Sequence, residues 1–89
     1  MKYKVEYSKK AAIQIKKLDR YTKIMLINWI EKNLFDCENP RYIGKALKGN
    51  LEDQWRYRIG DYRLICDIED DRLIILVINV GHRKESYNK

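Results

Sequence analysis

Apolar positions along the 89-residue chain follow two different periods, and each change of period marks the edge of an element. Over residues 2–7, Tyr3, Val5 and Tyr7 alternate with Lys2, Lys4 and Glu6, which is the two-residue period of a strand. Ser8 follows as a helix N-cap, because its hydroxyl can accept a hydrogen bond from an amide of the first turn. Ala11, Ala12, Ile15 and Leu18 then recur at helical spacing, with Lys9, Lys10, Lys16 and Lys17 around the rest of the helix. Asp19 caps a second helix beginning near Arg20, whose apolar stripe is Tyr21, Ile24, Ile27, Ile30 and Leu34. So short a joint predicts an αα-hairpin over residues 9–35. Asn39-Pro40 prevents further helix, since proline biases its predecessor away from helical geometry.

Residues from Gly44 to Asn50 read as a connecting loop, basic at Lys45 and Lys48. Beyond it Trp55, Tyr57 and Ile59 alternate with Arg56 and Arg58, Gly60-Asp61 makes a two-residue turn, and Tyr62 to Ile68 returns as a second strand. An acidic turn, Glu69-Asp70-Asp71, precedes Leu73 to Val80, a nearly continuous apolar run of the kind found in strands buried on both faces. Gly81 ends that strand and leaves His82 to Tyr87 as a polar tail. The predicted order β-α-α-β-β-β is α+β: an N-terminal strand, a helical hairpin, then a three-stranded antiparallel meander, with both helices on one face of the sheet.

Length predicts a single domain over residues 1–89. An apolar share of 45% is enough for one core, and no apolar run approaches the ~20 residues of a spanning helix. The start, Met1-Lys2-Tyr3-Lys4-Val5, has no apolar h-region, so the expectation is a cytoplasmic protein without membrane contact. Cys37 and Cys66 have neither metal-ligand spacing nor the density of a disulfide framework, and read as reduced thiols, with Cys66 in the core. With a single histidine, His82, no zinc set is in view, and Asp67, Glu69, Asp70 and Asp71 read as a solvated turn. No cofactor is expected. The formal charge of +6 is uneven: residues 1–50 hold twelve Lys/Arg against five acids, and residues 51–89 hold seven against eight. Such a balance attracts a polyanion, either nucleic acid or an acidic protein.

The stretch from Trp55 to Arg63 carries the chemistry. With Gly60-Asp61 as a two-residue loop, Ile59 pairs with Tyr62 and Arg58 faces Arg63. Side chains two apart share a face, so Arg56, Arg58 and Arg63 project together, while Trp55, Tyr57, Ile59, Tyr62, Leu64 and Cys66 form a core layer behind them. Cations directly opposite each other destabilise a sheet unless something neutralises them. Such a face disfavours folding alone and favours an anion. A blander account is that the arginines splay into water with Asp61 and Asp67 as partners. The tail weighs against it, because an antiparallel return of the last strand beside this face would add His82, Arg83 and Tyr87 to the same place.

Leu47-Lys48-Gly49, the run from Trp55 to Ile65, and Val80-Gly81-His82-Arg83 with Tyr87 resemble the signature of RelE-type toxins, of the RelE/ParE superfamily. The helical hairpin falls where that family has one, so the resemblance covers nearly the whole chain. It implies a RelE-like microbial RNase fold and a metal-independent endoribonuclease, an mRNA interferase that cuts messenger RNA in the ribosomal A site and inhibits translation. The 2′-hydroxyl of one nucleotide attacks the neighbouring phosphate. It also implies a cognate antitoxin, a mostly unstructured partner that wraps the toxin and joins it in a higher-order heteromer.

That reaction needs charge neutralisation on a crowded phosphorane and a proton carrier. Arg63, with Arg56, Arg58 and Arg83, fits the first requirement, because a guanidinium fork pairs two phosphate oxygens and stays charged. His82 and Tyr87 are the candidates for the second. An unperturbed imidazole titrates near ~6.5, whereas a phenol starts near ~10 and needs cations beside it. Tyr87 has a second use, stacking on a base, and His82 a plainer one, as an exposed residue after a strand. Lys45, Lys48, Lys9, Lys10, Lys16 and Lys17 are candidate RNA contacts, the last four equally readable as the wet face of a helix. The chain departs from some relatives in one respect: a glutamate base before the Leu-x-Gly segment is replaced in that neighbourhood by Lys45, and neither Glu52 nor Asp53 matches it. The alternatives are a ParE-like toxin that binds DNA gyrase without cleaving nucleic acid, and a plain nucleic-acid-binding module.

Overall fold

The structure, a computed structural model, describes residues 1–47 and 54–82. Its elements are β1 (Lys4–Tyr7), α1 (Lys9–Lys16), α2 (Arg20–Asn33), β2 (Lys45–Ala46), β3 (Gln54–Ile59), β4 (Tyr62–Glu69) and β5 (Ile74–His82). They form an α+β fold with one five-stranded sheet in the order β1-β5-β4-β3-β2. Neighbours are antiparallel except that β1 runs parallel to β5, with Lys4 beside Ile74 and Tyr7 beside Val77. The apolar run of β5 thus lies inside the sheet, between β1 and β4. Among the described residues no helix is long and apolar enough to cross a membrane.

Both helices begin where their caps predict. Ser8 has extended backbone (φ −67°, ψ 163°), and its Oγ accepts from the Ala11 amide at 3.0 Å. The Ser8 amide also donates to the Val77 carbonyl at 2.9 Å, so one residue closes the parallel pair and opens the helix. Asp19 accepts from the Thr22 amide at 3.1 Å and from the Thr22 hydroxyl at 2.6 Å. The second helix stops at Asn33, well before Pro40. Asp36 takes a left-handed φ of 62°, its amide donates to the Tyr3 carbonyl, and the Tyr3 amide donates to the Cys37 carbonyl, both at 2.9 Å.

The core lies between the helices and one sheet face. Leu26 and Ile30 of α2, Leu34 just after it, and Ala11 and Ile15 of α1 meet Tyr57, Leu64, Cys66, Ile68, Ile75, Val77 and Val80. Burying such side chains contributes roughly 1.5–3 kcal/mol each. The helical stripe is rotated from its predicted position: Tyr21 and Ile24 are exposed at 78% and 49%, while Leu26, which the predicted stripe omits, is fully buried. The hydrophobic residues of α2 nearly encircle it, so local periodicity does not single out the face that the sheet covers.

Two further features differ from expectation. The connection after Pro40 is not all loop, since Lys45–Ala46 pairs with β3 as a short edge strand; Lys48, Gly49 and Asn50 lie outside the described residues. Gly81 does not end the last strand, which continues through His82 opposite Tyr62. That strand also carries a bulge: Ile65 pairs with Asn79 but Cys66 pairs with Val77, leaving Ile78 as the extra residue. The bulge lets Val77 and Val80, three apart, both face the core.

Candidate nucleic-acid interface

The β3–β4 hairpin has the predicted register. Ile59 pairs with Tyr62, Arg58 with Arg63, Arg56 with Ile65 and Gln54 with Asp67. Gly60, at the first turn position, has φ +59°, the conformation of a two-residue hairpin loop whose twist matches the strands. Alternation then puts Tyr57, Ile59, Leu64 and Cys66 on the buried face and Arg56, Arg58 and Arg63 on the other. The short strand β2 adds a cation, because Lys45 is the partner of Arg56 and shares its face.

These four cations line a single cleft of about 430 Å³, together with Trp29, Asn33, Ile43, Gly44 and Tyr57. The segment that brings Lys45 there is held by side chains remote in sequence. Trp55 Nε1 donates to the Ile43 carbonyl at 2.7 Å, and the buried Tyr57 hydroxyl donates to the Pro40 carbonyl. Arg41 lies over the Trp55 ring, 5.9 Å from its centroid, and forms a two-pronged ion pair with Asp70 at 2.9 and 3.2 Å. Tyr3 adds a third donor to that carboxylate, at 2.6 Å. Gly44, at φ +84°, packs so closely that a Cβ would lie 2.6 Å from the Arg56 carbonyl oxygen and 2.7 Å from Trp55 Nε1.

Charge states follow from these contacts. The Arg41 and Tyr3 hydrogen bonds hold the Asp70 carboxyl below its usual range, and the same carboxylate raises the Tyr3 phenol. Burial pushes the Tyr57 phenol far up and the Cys66 thiol to about 12. Neither is a proton carrier at neutral pH. The acidic turn is engaged internally, with Asp70 on Arg41 and Tyr3 and Glu69 on Arg72 at 2.9 Å.

Of the predicted site residues, Arg56, Arg58, Arg63 and Lys45 are brought together. His82 does not join them: it pairs with Tyr62 across the β4–β5 ladder, and the two rings meet edge to face with centroids 5.1 Å apart. Residues directly opposite in an antiparallel pair share a face, so the extension of β5 by one pair carries the imidazole to the side of Tyr62. Lys9, Lys10, Lys16 and Lys17 are exposed on and just after α1, in the helix layer rather than on the arginine face. Arg83, Tyr87 and Lys48 lie outside the described residues. Sequence reasoning missed Trp29, Asn33, Arg41, Gly44 and Asp70. A signal for part of this was present, since a largely buried tryptophan and tyrosine need partners for their polar ends. It does not say which carbonyls supply them.

Three guanidiniums and an ammonium from the sheet thus line one cleft together with an indole and a carboxamide from α2. Such an arrangement binds phosphate and offers an adjacent flat surface.

The sequence profile of the family described as ParE toxin of type II toxin-antitoxin system, parDE, matches residues 5–87. An Escherichia coli protein named for its likeness to the RelE toxin is 28% identical over 88 residues, covering 97% of this chain and 88% of that one. Toxin RelE of Mycobacterium tuberculosis is 37% identical over 49 residues, covering 55% of this chain and 50% of its own length. Among solved structures, the toxin in the RelBE2 toxin–antitoxin complex of M. tuberculosis superposes with a TM-score of 0.81 at 25% identity, covering 93% of each chain.

Proposed function

Because the chain belongs to the ParE toxin family of type II toxin–antitoxin systems, we propose that it acts as a RelE-like ribosome-dependent endoribonuclease that cuts messenger RNA and thereby inhibits translation. The observation that carries this reading is the convergence of Arg56, Arg58, Arg63 and Lys45 on one cleft-lined sheet face. In the proposed reaction the 2′-hydroxyl attacks the adjacent phosphorus and the 5′-oxygen of the next nucleotide leaves. This forms a cyclic phosphate and needs no metal. Negative charge builds on the phosphorane oxygens, and preorganised donors of this type lower such barriers by ~3–4 kcal/mol apiece. Arg83, outside the described residues, is proposed as a further cation for the same phosphorane. Proton transfer is assigned to Tyr87, whose phenolate the cations would favour. The packing of His82 on Tyr62 argues against the imidazole for that task.

The partner is a cognate antitoxin. The mycobacterial relative was solved in complex with its own, and a strongly basic face suits an acidic partner that covers it. A second reading is favoured by the family description itself, which names ParE rather than RelE. On that reading the domain binds DNA gyrase and cleaves nothing.

Parallel assays separate the two. Purified protein added to translating ribosomes should cut the messenger, Arg63→Ala should abolish cutting while the circular dichroism spectrum stays unchanged, and gyrase supercoiling should be unaffected. Inhibited supercoiling with intact messenger would establish the second reading and end the first.

A further inference from the structure

The cationic cleft has a second wall that the phosphate chemistry does not use. Trp29 and Asn33 are four residues apart on α2, hence stacked on one helix face, and both line the cleft that Lys45, Arg56, Arg58 and Arg63 enclose from the sheet side. Both are fixed. The Trp29 ring packs on Tyr57 with centroids 5.8 Å apart at 55°, and Asn33 Nδ2 donates to the Trp29 carbonyl at 3.0 Å. That bond settles the orientation of the carboxamide, because only the nitrogen can donate to a carbonyl. Asn33 Oδ1 and the second Nδ2 hydrogen are thus a preset acceptor–donor pair beside an indole.

We infer that Trp29 and Asn33 form a nucleobase subsite, which receives the base of a nucleotide whose phosphate rests on the arginine face. A nucleotide is a phosphate joined through one sugar to a flat ring with donor and acceptor edges. The cleft brings cations, an aromatic surface and a carboxamide together within about 430 Å³. Aromatic stacking is the usual way a protein holds an unpaired base, and a side-chain amide is a usual reader of its edge. A site built only for phosphate has no use for either group. Structurally, Trp29 is the partner of Tyr57 in the core, but that role requires neither Asn33 nor the opening toward the arginines. The inference rests on the reading of the sheet face as an RNA-binding one, and it adds a determinant of where the chain is cut.

The test is a nuclear magnetic resonance titration following the indole Nε1–H of Trp29, with the four nucleoside monophosphates and inorganic phosphate as probes, alongside cut-site mapping. Nucleotides should shift the Trp29 signal and inorganic phosphate should not. Trp29→Leu should weaken nucleotide binding at least fivefold while phosphate affinity is unchanged, and Trp29→Phe should restore most of it. Asn33→Leu should redistribute cuts among neighbouring nucleotides, read as a changed ratio between cut positions, with the circular dichroism spectrum unchanged. A Trp29 signal that answers no nucleotide but does answer the antitoxin would overturn the inference in favour of a peptide contact. An unaltered cut pattern in Asn33→Leu and Trp29→Leu, with full cleavage, would also end it and leave the nuclease standing. Nucleotide-dependent shifts without any messenger cleavage would keep the subsite and remove the nuclease.

Discussion

Arg58 stands directly opposite Arg63 in the β3–β4 ladder, and Arg56 lies two residues away on the same face with Lys45 as its edge-strand partner. Like charges placed this way oppose folding by a few tenths to ~1 kcal/mol per pair. Arg58→Gln should therefore leave stability unchanged or raise it by up to ~1 kcal/mol at low salt, with the gain disappearing at high salt. Messenger cleavage should fall tenfold or more, since ~1.4 kcal/mol of lost transition-state binding suffices for that. Urea denaturation at two salt concentrations checks the first part and ribosome assays the second. A clear loss of stability in the variant would contradict the electrostatic argument.

Each cation on the face should appear in the salt dependence of binding. For single-stranded RNA the logarithm of affinity falls with the logarithm of salt by about 0.7 per phosphate neutralised. Lys45→Gln and Arg56→Gln should each reduce that slope by about this amount in fluorescence anisotropy, and Lys9→Gln on α1 should not. Equal slopes for all three would mean that the chain binds RNA through its overall charge.

Gly44→Ala should damage the site at a distance. The added methyl would meet the Arg56 carbonyl and the Trp55 indole well inside contact distance, at a φ of +84° that L-residues rarely adopt. Destabilisation should exceed the ~1 kcal/mol associated with adding a side chain at an unsuitable backbone position. Cleavage should drop with it, because β2 carries Lys45. A variant as stable and as active as the parent in thermal melts and ribosome assays would show that this close packing is dispensable.

The ion pair between Arg41 and Asp70 predicts an acid-side effect. The carboxyl is held below its unfolded value of ~3.9, so its contribution is complete above that value and is lost as pH falls through the lower, folded one. Asp70→Asn should thus be less stable than the parent from about pH 5 upward and converge with it in stronger acid. The Asp70 side chain is 55% exposed, which keeps the difference below about 1 kcal/mol. Denaturation midpoints between pH 2 and pH 7 test this; curves that stay parallel throughout would refute it.

The two thiols should react on different terms. Cys66 is fully buried with its thiol pushed up to about 12, so almost no thiolate is present at pH 8. Cys37 is half-buried, and burial raises its thiol as well. Iodoacetamide at pH 8 should modify Cys37 slowly and Cys66 only after denaturant is added, read by mass spectrometry. Prompt labelling of Cys66 in the native protein would show that the core opens.

The sequence by itself determined whatever depends on neighbours along the chain. Ser8 and Asp19 cap helices because a short polar side chain reaches an amide three residues on, and Gly60-Asp61 sets the register that puts Arg58 against Arg63. Period-two alternation then divides that hairpin into a buried layer and a cationic one. Tertiary structure alone decided what depends on distant segments meeting. It paired β1 with β5 in parallel, turned Leu26 rather than Tyr21 toward the sheet, brought Arg41 to Asp70 and Trp29 to the arginine cleft, and set His82 beside Tyr62. The physical reason is that hydrogen-bonding caps and two-residue turns act over one turn of chain. Which face of a helix with apolar residues on every side is covered, and how many pairs a strand makes before it ends, are set by competition among all the surfaces available for burial.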